Sequence, residues 1–352
     1  MVMLKKPPTI QDVARHAQVS TATVSRALSM PERVSRATRD RIETAIAATG
    51  YTLNEAARSL RRQRAKAIVI ALPNVGNPYY STMLDAVVSQ ADQRGYGVLV
   101  ANRAPGEDAT GWLRDYFFSS RADGLLVFDA TLDTAELQKL MMERGKLPIV
   151  IVCDELIEPG FNLVTSDNRE ATGRIVQHLV ALGHSDIGFV SGPDIHDYPN
   201  ERVLGFREAM ARNGLPVREE WMMKGDHHTR SGFRAGSTFL GLKERPTAMV
   251  CANDEMAIGF LSRIQQAGVR CPQDVSVVGF DDIEIAPYVT PPLTTMRQKR
   301  SELGAISTAA LIDIIEGVRE PAKAVRVILR CELVVRGSTA APAASARSMG
   351  AA

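Results

Sequence analysis

The 352-residue chain lacks most of the features that announce metal binding, export or catalysis. Its four cysteines, Cys153, Cys251, Cys271 and Cys331, are far apart, and no two form a CxxC pair. A zinc site built on paired thiolates is therefore not expected, and no metal is assigned. Cys153 and Cys251 lie in apolar runs, where a free thiol packs as a small hydrophobe. Unpaired thiols suit a reducing cytoplasm. The opening MVMLKKPPTI has no apolar signal core, and no run of ~18 apolar residues occurs, so neither export nor a membrane span is expected. The patterns GxSxG, HExxH and GxxxxGK[ST] are absent, and Gly95-Tyr96-Gly97 is too short for a dinucleotide fingerprint. No catalytic residue and no cofactor is assigned. An enzyme using Asp and His in a cleft is the remote alternative.

What is present begins with charge. The formal net charge of +2 hides an asymmetry: residues 1–66 hold 13 Lys or Arg against 5 acids, a local +8, and the remainder carries −6. A basic head on a mildly acidic body points to a polyanion that only the head meets. A solvated basic tail would look the same by charge alone. Length allows two or three domains, and 45% hydrophobic residues supply an ample core.

Residues 9–28, TIQDVARHAQVSTATVSRAL, read as two short helices joined by a tight turn. Thr9 and Asp12 form a capping-box pattern, and Ile10, Val13, Ala14 and Ala17 make one apolar stripe. Gln18-Val19 is the turn, with Val19 plugging the core. Ser20 caps a second helix over 21–28, whose Val24, Ala27 and Leu28 face inward. Thr21, Ala22, Ser25 and Arg26 share the other face. Ser35 caps a third helix over 36–49, and Gly50 stops it. This is the pattern of a helix-turn-helix reader of DNA. Arg26 would pair with guanine, worth ~1–3 kcal/mol of discrimination, and Thr21 and Ala22 would offer methyls to thymine. Thr23, Ser25 and the capped helix start would hold phosphates. The plainer alternative is a three-helix bundle with a solvated Arg26.

The next segment, 51–66, is short and basic. Asn54 can cap a helix of about nine residues, too short to be stable alone. Arg58, Arg61, Arg62 and Arg64 make DNA its expected partner. Leu60 has nothing local to bury against, so it reads either as a linker leucine or as a wedge into a minor-groove step.

From Lys66 onward, apolar runs alternate with amphipathic helices. AIVIAL (67–72), GVLVA (97–101), GLLVF (124–128) and PIVIVC (148–153) suit parallel strands buried on both faces. A second series, from DIGFVSG to VSVVGF, repeats the plan. Two doubly wound α/β subdomains follow, with a ligand cleft between them at the carboxyl ends of strands. Candidate cleft residues just past strand ends are Asn77, Tyr79, Tyr80, Asp167, Asn168, Arg202, His227, His228, Asn253, Asp254, Asp281 and Asp282. Carboxylates, amides and a guanidinium aimed into one cleft suit a polyhydroxylated ligand. Asp254 reads equally as a helix cap, Asp282 as structural, and one of the two tyrosines as core.

The runs DVARHAQVSTATVSRAL, VSRATRDRIETAIAATGYTLN and AARSL resemble the lactose-repressor family of bacterial transcription regulators. The resemblance continues through VALGHSDIGFVSGP, ANDEMAIGF, VSVVGFDDIEIAPYVTPPLTTMRQ and CELVVRGST, covering residues 9–339. It implies a homodimer on a pseudo-palindromic operator of double-stranded DNA, with a central CpG step. It also implies paired hinge helices that each insert a leucine, here Leu60, in the minor groove. Leu53 departs from the proline that many members carry before the hinge Asn. The body is similar to the periplasmic sugar-binding fold. By that match Asp167, Arg202, Asn253 and Asp281 sit where members contact effector, and His227 where many carry a stacking aromatic.

The expected organisation is a head over 1–50, a hinge over 51–66, a sensor over 67–337 and a disordered tail over 338–352. The sensor's N-half is placed at about 67–182 and 294–322, its C-half at about 183–293 and 323–337, with crossings near 183, 294 and 323. The tail shows no heptads, which favours a dimer. The expected function is a repressor of carbohydrate uptake or catabolism genes, released by a sugar-like effector. A nucleoside- or purine-type effector and a corepressor-dependent mode are the alternatives.

Overall fold

Side-chain caps set the helices of the amino-terminal unit. A computed structural model describes residues 8–51, 64–102, 111–119, 121–143, 147–152, 160–193, 200–319 and 324–343. The chain divides into two units, Met1–Gln63 and Arg64–Ala352. In the first, the Thr9 backbone N–H and hydroxyl both donate to Asp12 Oδ2, at 2.9 and 2.7 Å, starting α1 (Ile10–His16). Ser20 Oγ accepts from Thr23 N at 3.1 Å and starts α2 (Thr21–Ser29). Ser35 caps α3 (Arg36–Thr49), which Gly50 closes with a left-handed φ of 66°. Val13, Ala14, Ala17, Val24, Ala27, Ile42 and Ala45 form the buried core, with Val19 packed against it as the stripe requires. The hinge residues 52–63, including Asn54, Arg58 and Leu60, lie outside the described residues, as does 344–352 of the tail.

The second unit is built on two six-stranded sheets. The first, in the N-half, runs β11-β5-β4-β3-β1-β2 and is parallel throughout. Its strands are β1 (Ala67–Leu72), β2 (Gly97–Asn102), β3 (Gly124–Val127), β4 (Ile149–Ile151), β5 (Asn162–Ser166) and β11 (Arg326–Leu329). Along β1, Val69 and Ala71 enter one apolar cluster while Ile68, Ile70 and Leu72 enter another. Both faces are thus dry, which is why the sequence shows a continuous apolar run instead of alternation. Helices α4 (Tyr79–Gln93), α5 (Gly111–Phe118), α6 (Thr134–Glu143) and α11 (Arg300–Glu316) belong with this sheet.

The C-half sheet runs β12-β10-β9-β8-β6-β7, parallel except for β12 against β10. Its strands are β6 (Ile187–Ser191), β7 (Met222–Lys224), β8 (Ala248–Cys251), β9 (Ser276–Asp281), β10 (Thr294–Arg297) and β12 (Glu332–Val334). Its helices are α7 (Asn168–Ala181), α8 (Glu201–Arg212), α9 (Thr229–Gly241) and α10 (Asp254–Gln266). Cys251 and Cys271 pack in its core as small hydrophobes, and burial pushes both thiols up.

Three boundaries differ from the sequence reading. The first crossing lies at 166–168, not 183, because Ala171, Ile175, Val176 and Leu179 of α7 bury against Phe206 and Met210 of the C-half. The second lies at 297–300, not 294, because β10 pairs with β9 before the chain leaves. The third lies at 329–332, not 323, because β11 pairs with β5 first. The sequence reading assigned no strand at 294–297, 326–329 or 332–334, and local pattern does not say which sheet receives a strand. A fourth difference concerns the tail. Ser338 is fully buried, accepts from Thr294 N and donates to Val277 O, each at 2.7 Å, so order extends past 337. Among the described residues no helix is long and apolar enough to cross a membrane.

His184 locks that carboxyl-terminal segment down. Its Nδ1 lies 2.8 Å from Thr247 Oγ1, and its Nε2 lies 2.9 Å from Ala340 O and 3.1 Å from Ser276 Oγ. Burial lowers the pKa of His184, and that of nearby His178, below the ordinary histidine value. The unfolded chain therefore binds protons that the folded chain refuses. The stabilisation is complete above pH ~6.5 and is lost as pH falls through the lowered value. We expect the His184 ring to titrate below 6.5 by NMR, and the thermal midpoint to fall between pH 7 and 5. A ring that protonates at or above 6.5 in the folded protein would contradict this.

Candidate effector cleft and DNA-facing surface

Between the two halves of the sensor lies a cleft of about 220 Å³, at the carboxyl ends of the strands. From the N-half, the loop after β1 supplies Pro73, Asn74 and Asn77, and the start of α4 supplies Tyr79 and Tyr80. The segment after β3 supplies Phe128 and Asp129. The aromatic rings form one wall: Tyr79 and Tyr80 meet edge-on at 5.1 Å, and Tyr80 and Phe128 at 6.2 Å.

The C-half supplies the charged wall, with Arg202, His227, His228, Asn253 and Asp281. Arg202 is 7% exposed and is fixed on three sides. Its Nε donates to Asn168 Oδ1 at 2.9 Å, its Nη1 donates to Ala252 O, and its guanidinium lies 3.9 Å over the Phe280 ring. Nη1 also sits 3.8 Å from Asp281 Oδ1. Asp281 Oδ1 accepts from Gln298 Nε2 at 2.7 Å. A held guanidinium beside a held carboxylate offers donors and acceptors a few ångströms apart, the pairing that ring and hydroxyl oxygens of a polyol require.

The backbone here is strained. His227, Asp281 and Asp282 adopt left-handed φ values of 65°, 118° and 53° without being glycine. Asn253 supports the His227 turn. Its Nδ2 donates to His227 O at 2.9 Å, while its Oδ1 caps α10 through Met256 N at 3.0 Å. Across the mouth, Asn74 Nδ2 lies 3.2 Å from His228 Nε2 and joins the two halves.

Several residues singled out from sequence lie elsewhere. Asp167, expected to contact effector, is not in the cleft lining. It binds the third crossing strand instead, accepting from Cys331 N at 2.7 Å and from Arg174 Nη2 at 2.8 Å. A position just past a strand end is also where a crossing begins, and the need to join two crossing strands claims this carboxylate. Asn168 is a support for Arg202. Asp254 is fully buried, accepting from Thr295 Oγ1 at 2.6 Å and Ile283 N at 2.9 Å; burial, then Asp281, pushes its carboxyl well up. Asn253, not Asp254, caps α10. Asp282 pairs with Arg336 at 2.6 Å and Arg297 at 2.7 Å, a structural role. Phe128, Asp129 and Asn74 were missed. Asp129 follows a strand end as the others do, but GLLVF masks where that strand stops. An apolar Phe128 carries no local signal at all. Among the described residues, no group of three or more His, Cys, Asp or Glu could hold a metal ion.

On the head, Ser20, Thr21, Ala22 and Arg26 are exposed on one side of α2, with Thr23 and Ser25 half-buried beside them. Thr9 is exposed, its hydroxyl directed to Asp12. The Ser20 and Thr23 hydroxyls are 2.8 Å apart within the cap.

His227 depends on a glycine opposite it. A Cβ on Gly192 would fall 2.1 Å from the His227 Nε2. Because the obstacle is a movable ring and not backbone, Gly192→Ala should fold with its thermal midpoint within a few degrees of the parent and displace the imidazole. Ring resonances of His227 that do not move in the variant would refute this packing.

Comparisons with known proteins agree with this architecture. The profile "Bacterial regulatory proteins, lacI family" matches residues 9–54, and "Periplasmic binding protein-like domain" matches 176–339. The chain is 33% identical over 341 residues to the HTH-type transcriptional repressor CytR of Escherichia coli K12, covering 95% of this chain and 96% of that protein. It is 35% identical over 335 residues to the HTH-type transcriptional repressor PurR of Photobacterium profundum, covering 94% and 98%. The lac repressor dimer bound to operator and the anti-inducer ONPF superposes with a TM-score of 0.84 at 30% identity, covering 96% of this chain and all of that one. The complex of the regulator CelR with cellobiose gives 0.71 at 28%, covering 94% and 99%. The chain therefore belongs to the lacI family of bacterial regulatory proteins, DNA-binding transcriptional regulators and not enzymes.

Proposed function

We propose that the protein is a homodimeric repressor that a sugar-like, polyhydroxylated effector releases from a pseudo-palindromic operator. The observation that carries this reading is the Arg202–Asp281 pair, held at 3.8 Å in a cleft whose other wall is aromatic. An effector that touches both walls draws the halves together. The cellobiose held by the related CelR supports a sugar-like ligand. Repression of carbohydrate uptake or catabolism genes goes with that effector class.

Movement of the N-half reaches the DNA-binding segment through the chain itself. Ala65 N and Lys66 N donate to the Asp123 carboxylate at 2.8 and 2.7 Å, and Lys66 Nζ reaches Glu316 at 3.1 Å. The first residues of the sensor are thus bolted to the N-half and move with it. In the head, exposed Thr21, Ala22 and Arg26 enter the major groove, with Thr9, Ser20, Thr23 and Ser25 near phosphates. Asn54, Arg58 and Leu60 are assigned to the hinge contact with the minor groove. A nucleoside-type effector is the second reading. Tyr79, Tyr80 and Phe128 offer ring faces for a base, and the CytR and PurR relatives are repressors of the same architecture.

Operator affinity should fall about 5–150-fold when effector is added at fixed salt, the usual size of such coupling. Cellobiose, other sugars and nucleosides serve as the panel, with anisotropy of labelled operator as the readout. Tighter binding in the presence of ligand would reverse the sign and make the ligand a corepressor. Asp281→Asn should abolish the response while leaving ligand-free operator binding intact. Arg26→Ala should lose ~1–3 kcal/mol of preference at one base pair per half-site; unchanged selectivity there would remove Arg26 from base reading.

A further inference from the structure

Asp129 stands out among the cleft residues because its fold-related bonds use only one of its two oxygens. It directly follows Phe128 at the carboxyl end of β3 and is 1% exposed. Its Oδ1 accepts from Thr131 N at 2.9 Å and from Thr131 Oγ1 at 2.6 Å, closing a tight turn. Its Oδ2 is buried and has no hydrogen-bond partner among the described residues. An asparagine would make the same turn through its carbonyl without burying a carboxylate. A buried acceptor left without a donor is destabilising, so a native structure that keeps one calls for an explanation. Here the explanation lies in position: Asp129 lines the cleft from the N-half, beside the Phe128 ring, whereas Arg202 and Asp281 line it from the C-half.

We infer that Asp129 is an effector-binding residue, whose Oδ2 accepts a hydrogen bond from a hydroxyl on the N-half edge of a polyhydroxylated ligand. The inference rests on the cleft reading above and deepens it. A carboxylate oxygen accepts and cannot donate, so it selects a hydroxyl over an ether or a hydrogen at that position. A ligand with hydroxyls on both edges engages Arg202 and Asp281 on one side and Asp129 on the other, and only such a ligand ties the halves together. An analogue lacking the N-half hydroxyl keeps the C-half contacts and loses closure.

The test uses the full-length protein. D-Ribose, D-glucose, cellobiose, myo-inositol, cytidine and adenosine are screened by thermal shift. The strongest stabiliser and its singly deoxygenated analogues are then titrated calorimetrically into the parent, Asp129→Asn, Asp129→Ala and Asp281→Asn. Asp129→Asn, which keeps the turn and removes a buried carboxylate, should unfold at or above the parent's ligand-free midpoint; Asp129→Ala also gives up the two bonds to Thr131 and should unfold within a few degrees below it. Both should bind the stabiliser at least tenfold more weakly. One deoxy analogue should bind the parent at least tenfold more weakly than the stabiliser does, and the two should bind Asp129→Ala equally. Affinity within twofold of the parent in the Asp129 variants, with Asp281→Asn impaired, overturns this inference and leaves the cleft reading standing. A ligand-free midpoint several degrees below the parent in both Asp129 variants assigns the residue to the fold and also overturns it. If no compound shifts the parent, or if Asp281→Asn binds as the parent does, the cleft reading falls and this inference with it.

Discussion

Gln298 commits both ends of its side-chain amide to the junction between the two halves of the sensor. Its Oε1 accepts from Ser166 Oγ at 2.7 Å and from Tyr79 OH at 3.1 Å, both in the N-half. Its Nε2 donates to Asp281 in the C-half. One buried group at the second crossing thus fixes an aromatic of one cleft wall and the carboxylate of the other. Asp167 does the same between the first and third crossings, where its backbone N–H also donates to Leu329 O at 3.0 Å. Three strands of chain pass between the halves within this network. A hinge whose polar groups are bonded to one another bends as a unit, so cleft geometry and hinge geometry change together.

The cleft holds features that local stability alone would not select. His227 and Asp281 carry left-handed backbone, as does Asp282 behind the lining, Arg202 is buried, and Asp129 keeps an oxygen with no donor among the described residues. Each is destabilising by itself, and the surroundings over-determine them. Gly192 makes room for His227, Asn253 holds its carbonyl, and the two arginines Arg297 and Arg336 hold Asp282. Strain and buried polarity concentrated in one cleft, and held in place by neighbouring residues, are what preorganised recognition requires.

The head shows the opposite economy of means. Its core is small, made mainly of valine, alanine and isoleucine, and its helices rely on side-chain caps at Thr9, Ser20 and Ser35. The caps have a second consequence, because they hold the amino end of α2 with exposed Thr21 and Ala22 beside it. Of the 13 basic residues in 1–66, all but Arg64 and Lys66 belong to this unit, while the sensor carries the balancing acidity, much of it paired with arginine. Attraction to a polyanion is thereby confined to the reader.

By itself the sequence determined what depends on neighbours a few residues apart. The caps, the 3.6-residue stripe of α1 and α2, the dry strands β1 and β3, and the polar residues past strand ends all follow from local spacing. They singled out Arg202, His227, Asn253 and Asp281, which the structure brings together in the lining of one cleft. Only the tertiary structure decided what depends on residues far apart in the chain. Helix α7 belongs to the C-half because its apolar face meets Phe206 and Met210, about 30 residues away. Asp167 became a hinge residue because Cys331 N arrives beside it, and Asp254 became a core residue because Thr295 does. Asp129 and Phe128 joined the cleft because two sheets, each complete in itself, face each other across it. Local pattern fixes the shape of each element; which surfaces are left to meet is settled only when the hydrophobic faces have found their partners.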